Sequence, residues 1–357
     1  MNVEAPNILI YRLGSLGDTI VALPALRLIE RAFPHAQRWM LTNFSVNAKA
    51  APMAQILDGT GLVHNYLEYP VGLRNLRGIL HLRQSIRKLR PIALVYLAEP
   101  RGLIKALRDA AFFRTCGIQR LIGVPYTQRF QRPLRVDGQH YEYEGARLLR
   151  CLHTLGNFRV NEDTFQLELS NSEHEKSLMV FSSQNIGTHA LAVSIGTKFN
   201  VNDWGDENWK ALLAFLSRRL PNWTLLTLGA NDERIRSAEL MTYWRGPSIN
   251  LCGQLSVRES ATVLQKSRFF IGHDSGPMHL AAAVGTPCVA IFSSRNLPGI
   301  WFPFGKQHRV LYQPMPCQGC NLEVCEKYDK ACIKSIRVRD VMDAVAGILG
   351  FDTLCAD

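Results

Sequence analysis

The sequence predicts an α/β protein made of two doubly wound halves, and three observations carry that reading. Short apolar runs alternate with stretches of helical period, the signature of parallel strands covered by helices. The alternation pauses at a polar stretch, Asn171-Ser-Glu-His-Glu-Lys176, and then begins again. Several of the apolar runs end in junctions rich in Gly, Ser, Thr or Asp, and in open α/β sheets ligands bind beyond such carboxyl ends.

In chain order, Asn7–Tyr11 is an apolar run that meets a glycine-rich turn, Gly14-Ser15-Leu16-Gly17, and Asp18 opens a periodic helix reaching about Phe33. Trp39–Thr42 and Ile92–Leu97 follow as buried strands, with helices over Leu73–Leu89, Arg101–Phe113 and Tyr141–Leu155. In the second half Ala190–Ile195, Trp223–Leu228, Arg268–Ile271 and Cys288–Phe292 read as strands, and helices start from about Glu207, after Asn231 and from Ser275. The division is therefore placed at 1–168 and 169–336, with the polar stretch as a hinge region and 337–357 as a final helix that packs back on the first half. The strand ends of both halves are expected to face a central cleft.

At roughly 150 residues per domain, 357 residues suggest two domains. An apolar content of 47% with 20% charged residues and only 17 prolines excludes a disordered, collagenous or low-complexity chain. No apolar run reaches the roughly 18 residues of a membrane span, and Met1 to Pro6 lacks the layout of a signal peptide, so a cytoplasmic protein is expected. Of nine cysteines, Cys116, Cys151, Cys252, Cys288 and Cys355 are scattered singly, which suits reduced thiols.

The net charge of +11 is uneven, because residues 1–170 hold 22 Lys and Arg against 13 Asp and Glu. Fourteen of those basic residues lie between Val71 and Arg135 and face only Glu99 and Asp109. Such a field favours an anionic partner. The spacing of Arg77, Arg83, Arg87 and Arg90 equally suits a solvated helix face. Nucleic acid is set aside as a partner, since the basic region carries neither interleaved stacking aromatics nor a recognised binding module.

Four features can carry chemistry. In Gly14-Ser15-Leu16-Gly17-Asp18-Thr19, glycines let the backbone turn after a strand and Asp18 stands at a helix start, where it either takes a proton from a hydroxyl or caps the helix. This is neither a Walker loop nor the dinucleotide fingerprint. In His273-Asp274-Ser275-Gly276-Pro277-Met278-His279, a strand runs into an Ala-rich helix whose free N–H groups suit a phosphate, unless Asp274 and Ser275 serve only as caps. Gly196-Thr197-Lys198 offers a hydroxyl and an ammonium at another strand end, and Asp232-Glu233 offers carboxylates that either cap a helix or bind a ribose. Cys317, Cys320, Cys325 and Cys332 crowd within sixteen residues, which leaves open a structural zinc or iron held by four thiolates, two disulfides or four free thiols.

Taken together, these blocks resemble glycosyltransferase family 9, the lipopolysaccharide heptosyltransferase family. The likeness rests on Ile8 to Pro24, Gly196-Thr197-Lys198, Gly229-Ala230 with Asp232-Glu233, and Asp274 to Ala283, in that order and at strand ends. It covers nearly the whole chain, while Val46 to Val160 agrees only in general pattern.

The resemblance implies a GT-B fold of two Rossmann-like domains, the acceptor on the first and the nucleotide-sugar donor on the second. It implies inverting transfer of a heptose from ADP-heptose to a lipopolysaccharide-core or related glycan, with no catalytic metal. Residue by residue it assigns Asp18 as general base and Gly14, Ser15, Gly17 and Thr19 to the acceptor side. Asp274, Ser275, Gly276 and His279 match the donor-diphosphate loop and Thr197 with Lys198 the leaving-group clamp, and Gly196, Asp232, Glu233 and Pro277 are counted with them as donor-binding. Lys198 stands in an altered context and His273 replaces a common Asn. The basic first half would then suit an anionic glycolipid acceptor at the inner face of the inner membrane, with peripheral contact to that membrane. Alternatives are a GT-B transferase or epimerase using another nucleotide sugar or a protein or natural-product acceptor. A basic nucleic-acid-binding protein and a dinucleotide-dependent dehydrogenase are weaker ones.

Overall fold

A computed structural model of the chain describes residues 5–44, 52–183, 186 and 189–351; Cys355 lies outside them. The chain divides into two compact units, Met1–Phe165 and Gln166–Asp357. Each is built on its own parallel sheet.

In the first unit the strands are β1 (Asn7–Tyr11), β2 (Gln37–Asn43), β3 (Asn65–Tyr69), β4 (Ala93–Tyr96) and β5 (Leu121–Ile122). They lie in the order β3-β2-β1-β4-β5, all parallel. Strands β1 and β4 are nearly continuous apolar runs because helices cover both faces of a parallel sheet. The helix foreseen from Asp18 to Phe33 is two, α1 (Leu16–Val21) and α2 (Leu23–Ala32), since Pro24 supplies no N–H to carry the ladder through. Helix α3 (Leu76–Leu89) starts where the Asn75 side chain accepts the Gly78 N–H at 2.6 Å and ends at Arg90 in the left-handed region, φ 47°. It sets Leu82 and Ile86 into a core shared with Leu9, Leu94 and Tyr96, and α4 (Leu103–Thr115) adds Ala106, Ala110 and Phe113 to the same core. Helix α5 (Glu144–Cys151) follows, with Glu144 and Arg147 buried as a pair at 2.7 Å.

The second unit orders β6 (Ala190–Ser194), β7 (Thr224–Thr227), β8 (Ser248–Asn250), β9 (Phe269–His273), β10 (Cys288–Phe292) and β11 (Arg309–Tyr312) as β11-β10-β9-β6-β7-β8. The polar stretch read as a hinge is instead the start of a helix, α6 (Asn171–Ser183). Glu173 caps it from within, accepting the Ser170 N–H at 2.7 Å, and pairs with Arg258. The helices over the sheet are α7 (Asp206–Arg219), α8 (Arg234–Met241), α9 (Val257–Lys266) and α10 (Gly276–Ala283). A last one, α11 (Val338–Leu349), follows β11. Trp204 and Trp209 are fully buried beside β6 and β9, and at roughly 25 cal/mol per Å² two such rings dominate the local core energy. The apolar face of helix α11, Val341 and Val345, is buried in the core of the second unit.

Candidate functional site

The first unit collects its chemistry at the carboxyl edge of β1 and β4, which are neighbours in the sheet. Gly14 has φ +122°, and a Cβ there would lie 2.4 Å from Asp18 Cγ, so only glycine leaves space for that carboxylate. Asp18 sits in the first turn of α1 and reaches back to its start: Oδ2 accepts the Ser15 N–H at 2.7 Å and the Ser15 hydroxyl at 3.3 Å. The capping alternative is thus realised, and it fixes the carboxylate while leaving its side chain 20% exposed. Thr19 is buried and spends its hydroxyl on the Ser15 carbonyl at 2.9 Å. Gly17 stands inside the helix turn.

Two residues that the sequence reading passed over complete this edge. Arg12, buried at the end of β1, donates to the Leu97 carbonyl at 2.6 Å and the Asp18 carbonyl at 2.7 Å, and lies 3.9 Å from Asp18 Oδ1. Glu99 lies just beyond β4, near Asp18; desolvation first, and then the Asp18 charge, push its carboxyl up to about 7 against the pull of Arg12. Arg101 follows, donating to Asp109 at 2.6 Å and to the Tyr11 hydroxyl at 3.3 Å. Only the sheet order brings β1 and β4 side by side, so spacing along the chain gave no sign of Arg12 and Glu99.

In the second unit β9, β6 and β7 are consecutive, and their carboxyl ends bring together three of the predicted loops. Ser275 is the N-cap residue of α10, its hydroxyl 3.3 Å from the His273 carbonyl, and Gly276 and Pro277 form the first turn. Pro277 has no N–H, so the donors that this turn turns outward are those of Gly276 and Met278. Asp274 does not cap the helix. Its Oδ2 accepts from Asn296 at 3.1 Å, its Oδ1 is 3.9 Å from His279 Nε2, and its carbonyl accepts from Asn202 at 3.3 Å. His279 is buried, edge-on to Trp301, where a role in holding Asp274 is closer to hand than a surface contact.

The other two loops meet through Glu233. A Cβ on Gly196 would lie 1.9 Å from its carboxylate and one on Gly229 2.1 Å, so both glycines are needed for the carboxylate to rest there. Glu233 also accepts the Ala230 N–H at 3.0 Å; Asp232 is exposed on the same turn. Thr197 lies partly buried, and Lys198 is exposed with Nζ 5.1 Å from the Phe199 ring, whose other neighbour is the Arg295 guanidinium at 4.4 Å. Arg295 and Asn296 follow β10 and were not singled out from sequence. His273, fully buried, accepts the Trp204 N–H at 3.2 Å through Nε2. Burial brings it down to about 4, so it is a neutral strut beneath the loop rather than a ligand group.

Among the described residues no group of three or more His, Cys, Asp or Glu side chains converges to hold an ion, and Cys317, Cys320, Cys325 and Cys332 are each free thiols. Cys332 is drawn into the second core beside Ile333 and Ile336, while the other three stay at the surface. A structural zinc or iron at these four thiols is therefore unsupported.

Two parallel sheets of this order, with glycine-bearing strand-to-helix junctions at their carboxyl edges, make up a GT-B glycosyltransferase architecture. Residues 103–330, well over half of the chain, match glycosyltransferase family 9 (heptosyltransferase). The chain belongs to that family and is a glycosyltransferase. It is 24% identical over 337 residues to lipopolysaccharide heptosyltransferase 1 of Pseudomonas aeruginosa, covering 89% of this chain and 87% of the relative. It is likewise 24% identical over 348 residues to lipooligosaccharide heptosyltransferase 2 of Campylobacter jejuni, at 94% and 95% coverage.

Among solved structures it is similar in fold to a family 9 glycosyl transferase from Veillonella parvula, with TM-score 0.75, 16% identity and 98% of each chain covered. The E. coli heptosyltransferase WaaC with ADP-2-deoxy-2-fluoro heptose gives TM-score 0.62 at 15% identity, over 96% of this chain and 99% of that one. The iron-containing dodecameric glycosyltransferase TibC of enterotoxigenic E. coli gives 0.55 at 13% identity, over 97% and 76%. No helix among the described residues is long and apolar enough to cross a membrane.

Proposed function

We propose that this enzyme transfers a heptose from ADP-heptose to a hydroxyl of a lipopolysaccharide-core or related anionic glycan, with inversion at the anomeric carbon. The observation that carries the reading is the carboxylate of Asp18, fixed by the Ser15 N–H, flanked by Arg12 and still open to a partner. It draws the proton from the acceptor hydroxyl as that oxygen attacks the anomeric carbon, and the bond from that carbon to the diphosphate oxygen breaks with ADP departing. A positioned base is worth roughly 10²–10⁴-fold in rate.

In this reading the departing diphosphate needs no divalent ion. Its charge falls on the Gly276 and Met278 N–H groups at the positive end of α10, on the Ser275 and Thr197 hydroxyls, and on the Lys198 and Arg295 cations. Asp232 and Glu233 accept from the ribose hydroxyls. Asp274, His279 and Asn296 hold the loop in shape, since a carboxylate turned on a diphosphate would repel it. Gly14, Ser15 and Gly17 leave the acceptor room beside Asp18, and Arg101 offers it a cation. The acceptor is presented at the cytoplasmic face of the inner membrane. Relatives named as lipopolysaccharide and lipooligosaccharide heptosyltransferases, and a similar fold solved with an ADP-heptose analogue, support the choice of donor and acceptor class.

A panel of nucleotide sugars tests it through thermal stabilisation and release of free nucleotide. ADP-heptose is expected to raise the melting temperature most and to turn over with a core-type acceptor. Stronger stabilisation and turnover with a UDP-, GDP- or CMP-linked donor would replace the donor assignment.

A further inference from the structure

In the second unit one buried side chain joins the loops that follow β6, β9 and β10. Asn202 stands in the turn between β6 and α7 and is only 3% exposed. Its Oδ1 accepts the Ser293 hydroxyl at 2.5 Å, and its Nδ2 donates to the Asp274 carbonyl at 3.3 Å. A carbonyl can only accept, so the NH₂ end of the amide has to face Asp274. Strands β6 and β10 lie on opposite sides of β9. A link from the loop after β6 to the loop after β10 therefore passes over the carboxyl end of β9, and there Asn202 takes hold of the Asp274 peptide.

Its neighbours hold the link still. The Val201 N–H donates to the Glu323 carbonyl at 3.1 Å, the Trp204 N–H to His273 Nε2 at 3.2 Å, and the Trp204 indole to the Ile336 carbonyl at 2.8 Å. Ser293, itself buried, also accepts the Arg295 backbone N–H at 3.3 Å, so one hydroxyl fixes the start of the segment that carries Arg295 and Asn296. Further on, the Asn321 N–H donates to the Arg295 carbonyl at 3.0 Å and the Arg295 Nε–H to the Leu322 carbonyl at 2.8 Å.

A trans peptide is planar and sends its C=O and N–H in opposite directions. The peptide between Asp274 and Ser275 is trans, so holding its carbonyl against Asn202 aims the Ser275 N–H the other way. That N–H meets no acceptor among the described residues, and it directly precedes the first turn of α10. We propose that Asn202 is a positioning residue of the donor site: its hold on the Asp274 carbonyl turns the Ser275 N–H out as a further donor to the diphosphate and keys the Arg295 loop to it. Donors fixed in advance meet a developing charge without reorganising, and a peptide free to rotate at this point loses that advantage. The role rests on the donor reading above and deepens it; Asn202 acts through the backbone it holds and touches no substrate atom.

Affinities of the full chain for ADP, by calorimetry, and for adenosine, by ligand-observed NMR, test it; if the donor panel selects another base, its diphosphate and nucleoside take their place. Asn202→Ala should weaken ADP about tenfold and leave adenosine within about twofold, since only the phosphate contacts depend on the held peptide. Asn202→Asp keeps an oxygen for Ser293 but offers no N–H to the Asp274 carbonyl, and should lose as much. Where either variant fails to fold, Ser293→Ala keeps the buried amide and removes only its anchor, and should weaken ADP about threefold with adenosine unchanged. ADP affinity like that of the parent, or equal losses of ADP and adenosine, would overturn the role of Asn202 and leave the donor reading standing. A parent that binds ADP no better than adenosine would remove the diphosphate cradle itself, and this role with it.

Discussion

Around Asp18 the decisive feature is the company it keeps, since Ser15 and Arg12 hold the carboxylate in place and Glu99 adds a second one against it. Desolvation, and then the Asp18 charge, push the Glu99 carboxyl up to about 7. Replacing it with Gln removes that titration, so the limb of the kcat/KM profile near pH 7 should disappear while ADP affinity is kept; an unchanged profile would exclude Glu99 from the proton chemistry. Gly14→Ala brings a Cβ into the Asp18 carboxyl and forces a backbone that side chains rarely adopt. It should cost about 1–3 kcal/mol and most of the turnover; a melting temperature and rate near those of the parent would show that Asp18 can relax away. The sequence announced Asp18, Lys198 and the Ser275 loop because each lies in a local pattern after a strand. Arg12, Glu99, Arg295 and Asn296 were silent, because they become neighbours of those loops only through strand pairing and loop packing.

Elements differ in how plainly they were written. Central strands such as β6, β9 and β10 are wholly buried and show as unbroken apolar runs. The edge strands β3, β8 and β11 keep polar residues half in water, and β5 is two residues long, so none of them carries a periodic signal. Helix α6 was hidden for a related reason: a polar capping sequence at a helix start reads like a linker. Two buried histidines at strand ends make the second unit acid-sensitive. Burial lowers His273 and His308 to about 4, from 6.5, with His308 accepting the Cys288 N–H at 3.1 Å. The unfolded chain therefore binds protons that the folded one refuses, and stability should fall as pH drops from 6.5 towards 4. Glu173, held at about 2 by Arg258, extends the loss below 4.5. Thermal unfolding followed across this range checks the sign, and a melting temperature that is flat or rising on acidification would contradict it.

At the scale of the whole molecule, the two-sheet architecture and the concentration of positive charge in the first half were both legible, because one follows from alternating periodicity and the other from counting. The state of the cysteines was not, since spacing alone cannot tell a metal site from free thiols. Cations and helix N–H groups that meet the leaving charge make a further forecast: turnover in excess EDTA should stay within about twofold, and a tenfold loss restored by a divalent ion would mean that the diphosphate is met by metal. The central claim is that Asp18 takes the proton of the attacking hydroxyl, and Asp18→Asn assayed with ADP-heptose and a core-type acceptor tests it most directly. Turnover should drop at least a hundredfold with calorimetric ADP affinity nearly unchanged. Turnover close to that of the parent enzyme would contradict the account.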